Sequence, residues 1–391
     1  MSTENYTTMA EALAEIPDPR SAQGRSFEWL FLLLVIAAAI MNGKDTLIDI
    51  SDWVQAHGDE LKTTLKPKKE RLPSRATLRR VVTDVAITTL EAALSKFQVG
   101  LIGETGDAGT VLTQEGRVLQ GQALDGKTVR GASAHGELVH LVSLVHHTSG
   151  LVLDQERATA KLHERRVAEK LFARNDLRDT VTTMDALHTC HKQAKQIRER
   201  GGDYLFVVKR NQPSLYEDIE AAFSVLPPKG TCEEEFWQYE KITVLHYGHG
   251  RTETHILEST TALNHYLAFT DVAQVVRRTR ISIEHSTKTR SVSTEYLITS
   301  LDRKRVTLDQ VEQVRRGHWT IENITHYPRD VSFGEDRSRI RSGNAPQVLA
   351  ALRNAVASLL RIEGWTSLPS GFRYCQRSLQ STLRMMGAIA T

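Results

Sequence analysis

Cysteine is scarce in this chain of 391 residues, and Cys190, Cys232 and Cys375 lie far apart with no CxxC among them. That argues against a disulfide framework or a cysteine zinc site and fits a reducing compartment. Long apolar runs are lacking as well. The longest, Trp29–Met41 (WLFLLLVIAAAIM), is shorter than the roughly 18–20 residues a membrane span needs. It follows residues 1–28, which contain Glu, Asp and Pro and do not read as a signal peptide. The expectation is a buried core helix, no membrane partner and a cytoplasmic protein. Walker A, Rossmann-glycine and GxSxG patterns are missing, as are internal repeats and low-complexity tracts. His135, His140, His146, His147, His188 and His191 form no ligand-like cluster with cysteine. A net charge of only +3 means that composition alone does not announce a nucleic-acid binder.

What is present is the balance of an ordinary globular protein, 40% hydrophobic and 25% charged, long enough for two or three domains. Charge is unevenly spread. Lys62, Lys66, Lys68, Lys69, Arg71, Arg75, Arg79 and Arg80 crowd into one stretch of a helical N-terminal segment, residues 1–105. Ser74 suits the N-cap of a helix carrying Arg75, Arg79 and Arg80. A basic loop feeding a basic helix start is what a phosphate-contacting module requires, although a solvated charged face has the same composition.

From residue 115 to 228 the pattern becomes strand, strand, strand, helix, strand, helix, strand, helix. GRVLQGQALDGKT ends in a turn-like DGK, with Asp125 at its close, and DTVTTMDA ends a short strand at Asp185. A hairpin-linked antiparallel trio followed by βαβ units gives an α/β fold, a mixed sheet flanked by helices; its element order resembles that of the RNase H-like nuclease fold, an analogy at the level of fold. Residues 229–300 are β-rich, with turn signals and the basic cluster Arg277, Arg278 and Arg280; they read as an insertion or a widening of the sheet.

Residues 301–365 return to helices. Thr307 is a plausible N-cap, and Leu308, Val311 and Val314 begin an apolar stripe. Arg315, His318, Glu322 and His326 recur at helical steps, so one face of the helix should carry them until Pro328 ends it. A long apolar-faced helix then follows a basic loop, and residues 366–391 form a less informative tail. Trp237 and Trp319 read as packing residues.

Asp125, Asp185 and Glu322 are the candidate catalytic residues. Clustered carboxylates with open coordination positions suit Mg²⁺, with Mn²⁺ able to replace it. Two such ions about 3.5–4 Å apart would activate an attacking oxygen and stabilise the leaving 3′ oxygen of a phosphodiester. Lys127 and Arg130 follow Asp125, and Lys209, Arg210 and Asn211 close the next strand; these could hold a nucleic-acid backbone. Each aspartate alone is weak, since Asp at a strand end is more often a turn former. A transition-metal reading of His318, Glu322 and His326 is disfavoured, because HxxxExxxH is not HExxH and arginines sit nearby.

LDGKTVRG, the stretch VTTMDALHTCHKQAKQIRERGGDYLFVVKRNQPSLYEDI, HGRTET, and RRGHWTIENITHYPRDVSFGEDRSRIRSGNAPQVLAALRN resemble the signature blocks of bacterial insertion-sequence transposases of the H-repeat-associated type. IPDPRSAQGR and DISDWVQAH resemble the helical domain preceding their catalytic domain. The resemblance implies a DDE transposase that binds metal through Asp125, Asp185 and Glu322. It implies cleavage at transposon ends and transfer of the 3′-OH into target DNA. Where related transposases have Tyr, Arg and Lys around the glutamate, this chain has Arg315, His318 and Arg329. Double-stranded DNA, a homodimer on that DNA and a nucleoid-associated location follow from the same resemblance. DNA contacts are expected at Lys68, Lys69, Arg75, Arg79, Lys127, Arg130, Lys209, Arg315, His318 and Arg329. A domesticated endonuclease and a non-catalytic DNA-binding relic are the alternatives.

Overall fold

The computed structural model describes residues 6–104, 111–134, 137–158, 163–225, 238–248 and 250–390. The readings of Cys232, Trp237 and His135 lie outside the described residues. The chain divides into two compact units. One comprises Met1–Asp107, Gly126–Val167 and Thr320–Thr391; the other comprises Ala108–Asp125 and Ala168–Trp319.

The first unit is built around α2 (Trp29–Met41), a helix so uniformly apolar that it has no wet face. Every residue from Phe31 to Met41 is buried, as expected of a core helix. Around it pack α1 (Met9–Ala14), α3 (Leu47–Ala56), α5 (Arg75–Asp84) and the long C-terminal α12 (Ala345–Ile362). Burial of Leu32, Leu33 and Ile36 against Val348, Leu352 and Val356 joins the two ends of the sequence into one core. Between α3 and α5 runs α4 (Gly58–Leu65); α6 (Ile87–Glu104) follows α5. Strands β3 (Glu137–His146) and β4 (Val152–Ala158) form the expected antiparallel hairpin in the same unit.

The second unit holds a mixed sheet. After the short β1 (Val111–Leu112), β2 (Val118–Ala134) pairs in parallel with β5 (Thr180–Met184), and β5 with β6 (Asp203–Val208). The crossovers contain α7 (Glu164–Arg174) and α8 (His191–Glu199), and α9 (Pro213–Ser224) follows β6. The β-rich stretch widens this sheet. Strand β10 (Arg290–Thr299) pairs antiparallel with β6, and β9 (Gln274–Glu284), β8 (Arg251–Thr260) and β7 (Glu240–Gly248) extend it outward. Helix α10 (Leu308–Gly317) closes one face with Leu308, Val311 and Val314 against Leu257, Val276 and Leu297.

Two local expectations fail. The DGK triplet is not a turn, because β2 runs straight through Asp125 and Gly126. The glycine is there for space: a Cβ on Gly126 would lie 2.5 Å from Nε2 of His140 and 3.0 Å from the Glu164 carboxyl. Nor does Pro328 end the helix. After a turn at residues 318–319 the chain forms a π-helix, Ile321–His326, and continues as α11 (Tyr327–Val331) with Pro328 in its first turn. A wider turn breaks the 3.6-residue repeat, so Arg315, His318, Glu322 and His326 do not share one α-helical stripe.

Candidate active site

In the sheet-bearing unit, register brings Asp125 and Asp185 together. The last paired residues of β2 and β5 are Leu124 and Met184, so the aspartates are the next residues on adjacent parallel strands. Both are partly exposed. Asp185 is locked by its own turn: Oδ1 accepts the Leu187 and His188 backbone N–H groups at 3.0 and 3.3 Å. The loop after β6 fixes that turn, with Asn211 Nδ2 donating to the Ala186 carbonyl and Gln212 Nε2 to that of Thr189. Asn211 thus serves as a clamp, while Lys209 and Arg210 beside it are exposed.

His318 is buried, and its Nδ1 lies 3.0 Å from the Thr183 hydroxyl on β5. Burial and then the Arg315 charge pull its pKa down to about 4, against an upward pull from Asp185. The ring is neutral at physiological pH. Arg315 is buried and bidentate to Glu295, at 2.8 and 2.7 Å. For Glu295, desolvation favours protonation but the Arg315 guanidinium outweighs it, leaving the carboxyl below its ordinary range.

In the helical unit, Glu322 stands exposed on the π-helix. Pro328 explains part of that geometry. It has no N–H for the Ile324 carbonyl one turn back, and the Arg361 guanidinium donates to that carbonyl instead. π-Turns recur at functional sites, and here one carries the candidate carboxylate.

Lys127 is buried and ion-paired with Asp330 at 2.6 Å. Arg329 is 1% exposed, and its Nη2 lies 2.6 Å from Glu335, which a second guanidinium, that of Arg353, meets at 3.2 Å. Burial favours protonation of Glu335, but the two arginines outweigh it and depress its pKa. Lys127, Arg315, His318 and Arg329, expected from sequence to touch DNA, are therefore interior residues already bonded within the fold. Lys68, Lys69, Arg75, Arg79, Arg130 and Lys209 are exposed.

The sequence reading missed Glu335, Arg353 and the buried pair His140–Glu164, whose Nε2 and Oε1 are 2.5 Å apart. Arg353 is masked by an apolar helix, and Glu335 sits in a 3₁₀ turn, so neither periodicity nor charge clustering marks them. Among the described residues, no three His, Cys, Asp or Glu side chains form a ready-made metal site.

Residues 116–360 match the family described as "Transposase DDE domain", and residues 10–98 match "DDE_Tnp_1-associated". The chain belongs to the transposase DDE domain family. Among curated relatives, "Putative transposase YncI" of Escherichia coli O157:H7 is 26% identical over 90% of this chain and 87% of its own. "H repeat-associated putative transposase YhhI" of Escherichia coli K12 is 25% identical over 90% of each. A solved piggyBac transposase synaptic complex with hairpin DNA matches at 12% identity, covering 100% of this chain and 79% of that one. Its TM-score of 0.44 is too low to fix the fold of this transposase-family chain. Among the described residues, no single helix is long and apolar enough to cross a membrane.

Proposed function

We propose that this chain is a Mg²⁺-dependent DNA transposase with an RNase H-like core, cutting at transposon ends and joining the freed 3′-OH to target DNA. The observation that carries the reading is the parallel β2–β5 register, which sets Asp125 beside Asp185 inside the family-matched region. Two carboxylates on adjacent strands, with Asp185 preorganised by backbone N–H groups, are a hard-oxygen donor set suited to Mg²⁺ or Mn²⁺. Glu322 is the third proposed ligand. Bound metal would supply Lewis-acid polarisation and neutralise charge during phosphoryl transfer.

The protein's own groups do the positioning. Asp125 and Asp185 hold their spacing through the sheet ladder, and neutral His318 pins the strand before Asp185 through Thr183. Exposed Lys68, Lys69, Arg75, Arg79, Arg130 and Lys209 would contact phosphates of double-stranded DNA; the buried Lys127, Arg315 and Arg329 would support the site from within. Transposition also needs two ends together, which favours a homodimer on DNA, in a cytoplasmic, nucleoid-associated setting.

The test is a divalent-metal-dependent assay on duplexes carrying the sequences that flank the reading frame. Asp125→Asn, Asp185→Asn and Glu322→Gln should each abolish cleavage and joining while leaving DNA binding near that of the parent. Full strand transfer by any of them refutes the assignment. Cleavage without joining by the parent indicates an endonuclease, and binding without either indicates a relic.

A further inference from the structure

Helix α5 buries Leu78, Val81 and Val82 and turns Arg75, Arg79 and Arg80 outward. A second basic segment, residues 338–344, is bonded directly to it. Arg79 donates to the Ser342 hydroxyl at 3.0 Å, and Asn344 donates to the carbonyls of Thr83 and Val85. On its other side the same segment is bonded to β2. Arg341 Nε donates to the Gly131 carbonyl at 3.3 Å, and just before the segment Asp336 accepts from the Arg130 backbone N–H. The approach is too close for any side chain at 131, where a Cβ would lie 2.0 Å from the Ser338 carbonyl oxygen. Arg339 and Arg341 are exposed, as is Arg130.

Six exposed arginines, 75, 79, 80, 339, 341 and 130, thus follow one bonded path across the helical unit. Acids also lie close: Asp336 is 3.9 Å from Arg130, Asp84 ends α5, Asp45 is 4.0 Å from Arg337, and Asp18 is ion-paired with Arg20 at 2.8 Å. Clefts open along both flanks of α5, one lined by Leu47, Ile48 and Arg75, the other by Arg20, Arg71 and Arg80. The helix therefore stands between two recesses edged with cations.

We propose that loop 338–342 is a DNA-backbone contact continuous with α5: α5 enters the major groove, and Arg339 and Arg341 grip the phosphates alongside. The groove of B-DNA is about 12 Å wide and admits one helix, leaving its walls over the flanking clefts. Guanidinium groups match phosphate oxygens in geometry and charge. This deepens the DNA reading above and rests on it. It assigns to DNA a segment that follows the glutamate in the chain and is remote from the N-terminal basic run in sequence only.

The experiment measures binding of the full chain to duplexes with the flanking sequences, and to a pool with randomised centres, across a salt series. Arg339→Ala/Arg341→Ala should flatten the slope of log K against log salt by about 1.8, about 0.9 for each lost phosphate contact, and weaken all duplexes alike. Arg75→Ala/Arg79→Ala should in addition alter the preferred sequence. Arg373→Ala/Arg384→Ala, an equal charge loss at exposed positions on the C-terminal helices Leu368–Cys375 and Leu379–Met385, should leave the slope unchanged. A parent that binds no duplex overturns the DNA reading and this inference together. A parent that binds with an unaltered slope in Arg339→Ala/Arg341→Ala, or with an equal loss in the Arg373/Arg384 control, overturns the inference alone. Unchanged thermal midpoints establish that the variants are folded.

Discussion

Replacing Glu335 by Gln is the sharpest test of how the segment bearing Glu322 is held. The Glu335 side chain is fully buried, with those of Arg329 and Arg353 at 2% and 3% exposure. One carboxylate oxygen takes Arg329 Nε and Nη2; the other takes Arg353 Nη1, which keeps a further tie to the Asp45 carbonyl through Nη2. An amide keeps the shape but strands two buried guanidiniums without a countercharge. Breaking a buried pair in this way costs about 3–5 kcal/mol. With a urea m-value of about 2–3 kcal/mol/M, the midpoint should fall by about 1–2.5 M. Amide hydrogen exchange in α12 should report the loss locally. The pH dependence has a definite sign. The folded pKa of Glu335 is depressed, so its contribution is complete above the unfolded value and lost as pH falls through the folded one. Glu335→Gln should lose that acid-side dependence. The triple change Glu335→Leu/Arg329→Met/Arg353→Met should recover much of the stability, since an apolar replacement of a whole buried network is often neutral or better. A loss below about 1 kcal/mol for Glu335→Gln, where about 3–5 is expected, would refute the reasoning.

Two further outcomes concern other buried groups. His318, near 4, stays neutral while the unfolded ring takes a proton, so the sheet-bearing unit should lose about 3 kcal/mol as pH falls from about 6.5 to 4, and His318→Gln should flatten the slope. Glu91, pushed up to about 7 by burial, has the opposite sign: the helical unit should lose about 3 kcal/mol as pH rises from about 4.5 to 7, and Glu91→Gln should be the more stable protein at pH 8. Hydrogen exchange in β5 and α6 separates the two; a slope of the opposite sign in either element would contradict the assignment made there. Arg361→Met should leave the Ile324 carbonyl unpaired beside Pro328, costing about 1–3 kcal/mol by chemical denaturation. A neutral effect would mean that the π-turn does not depend on that guanidinium.

Much of this architecture could be read from residue patterns because the patterns are strong. The Trp29–Met41 run is too apolar for any surface helix and too short for a membrane, and it became the central core helix. The alternation of strands and helices from 115 to 228 carried its order into the structure, and the late β-rich stretch resolved into a wider sheet. Asp125 was misplaced as geometry, since β2 runs on through it where a turn was expected. Asp-Gly-Lys has turn chemistry, but the glycine serves the close approach of His140 and Glu164, a contact no local rule encodes. Pro328 was likewise read from its average behaviour, although a guanidinium from distant Arg361 satisfies the carbonyl that proline leaves bare. Lys127, Arg315 and Arg329 looked like surface cations because their partners Asp330, Glu295 and Glu335 could not be paired with them from sequence.

The ladder between β2 and β5 has a consequence for how this chain tolerates change. Two carboxyl-bearing positions tied by backbone pairing keep their separation whatever the length of chain that connects them. Additions to the β3–β4 hairpin or to the helix before β5 should therefore leave the acidic pair intact. A single residue inserted within Gln120–Leu124 would instead slip the strand by one step and point the first carboxyl to the opposite face.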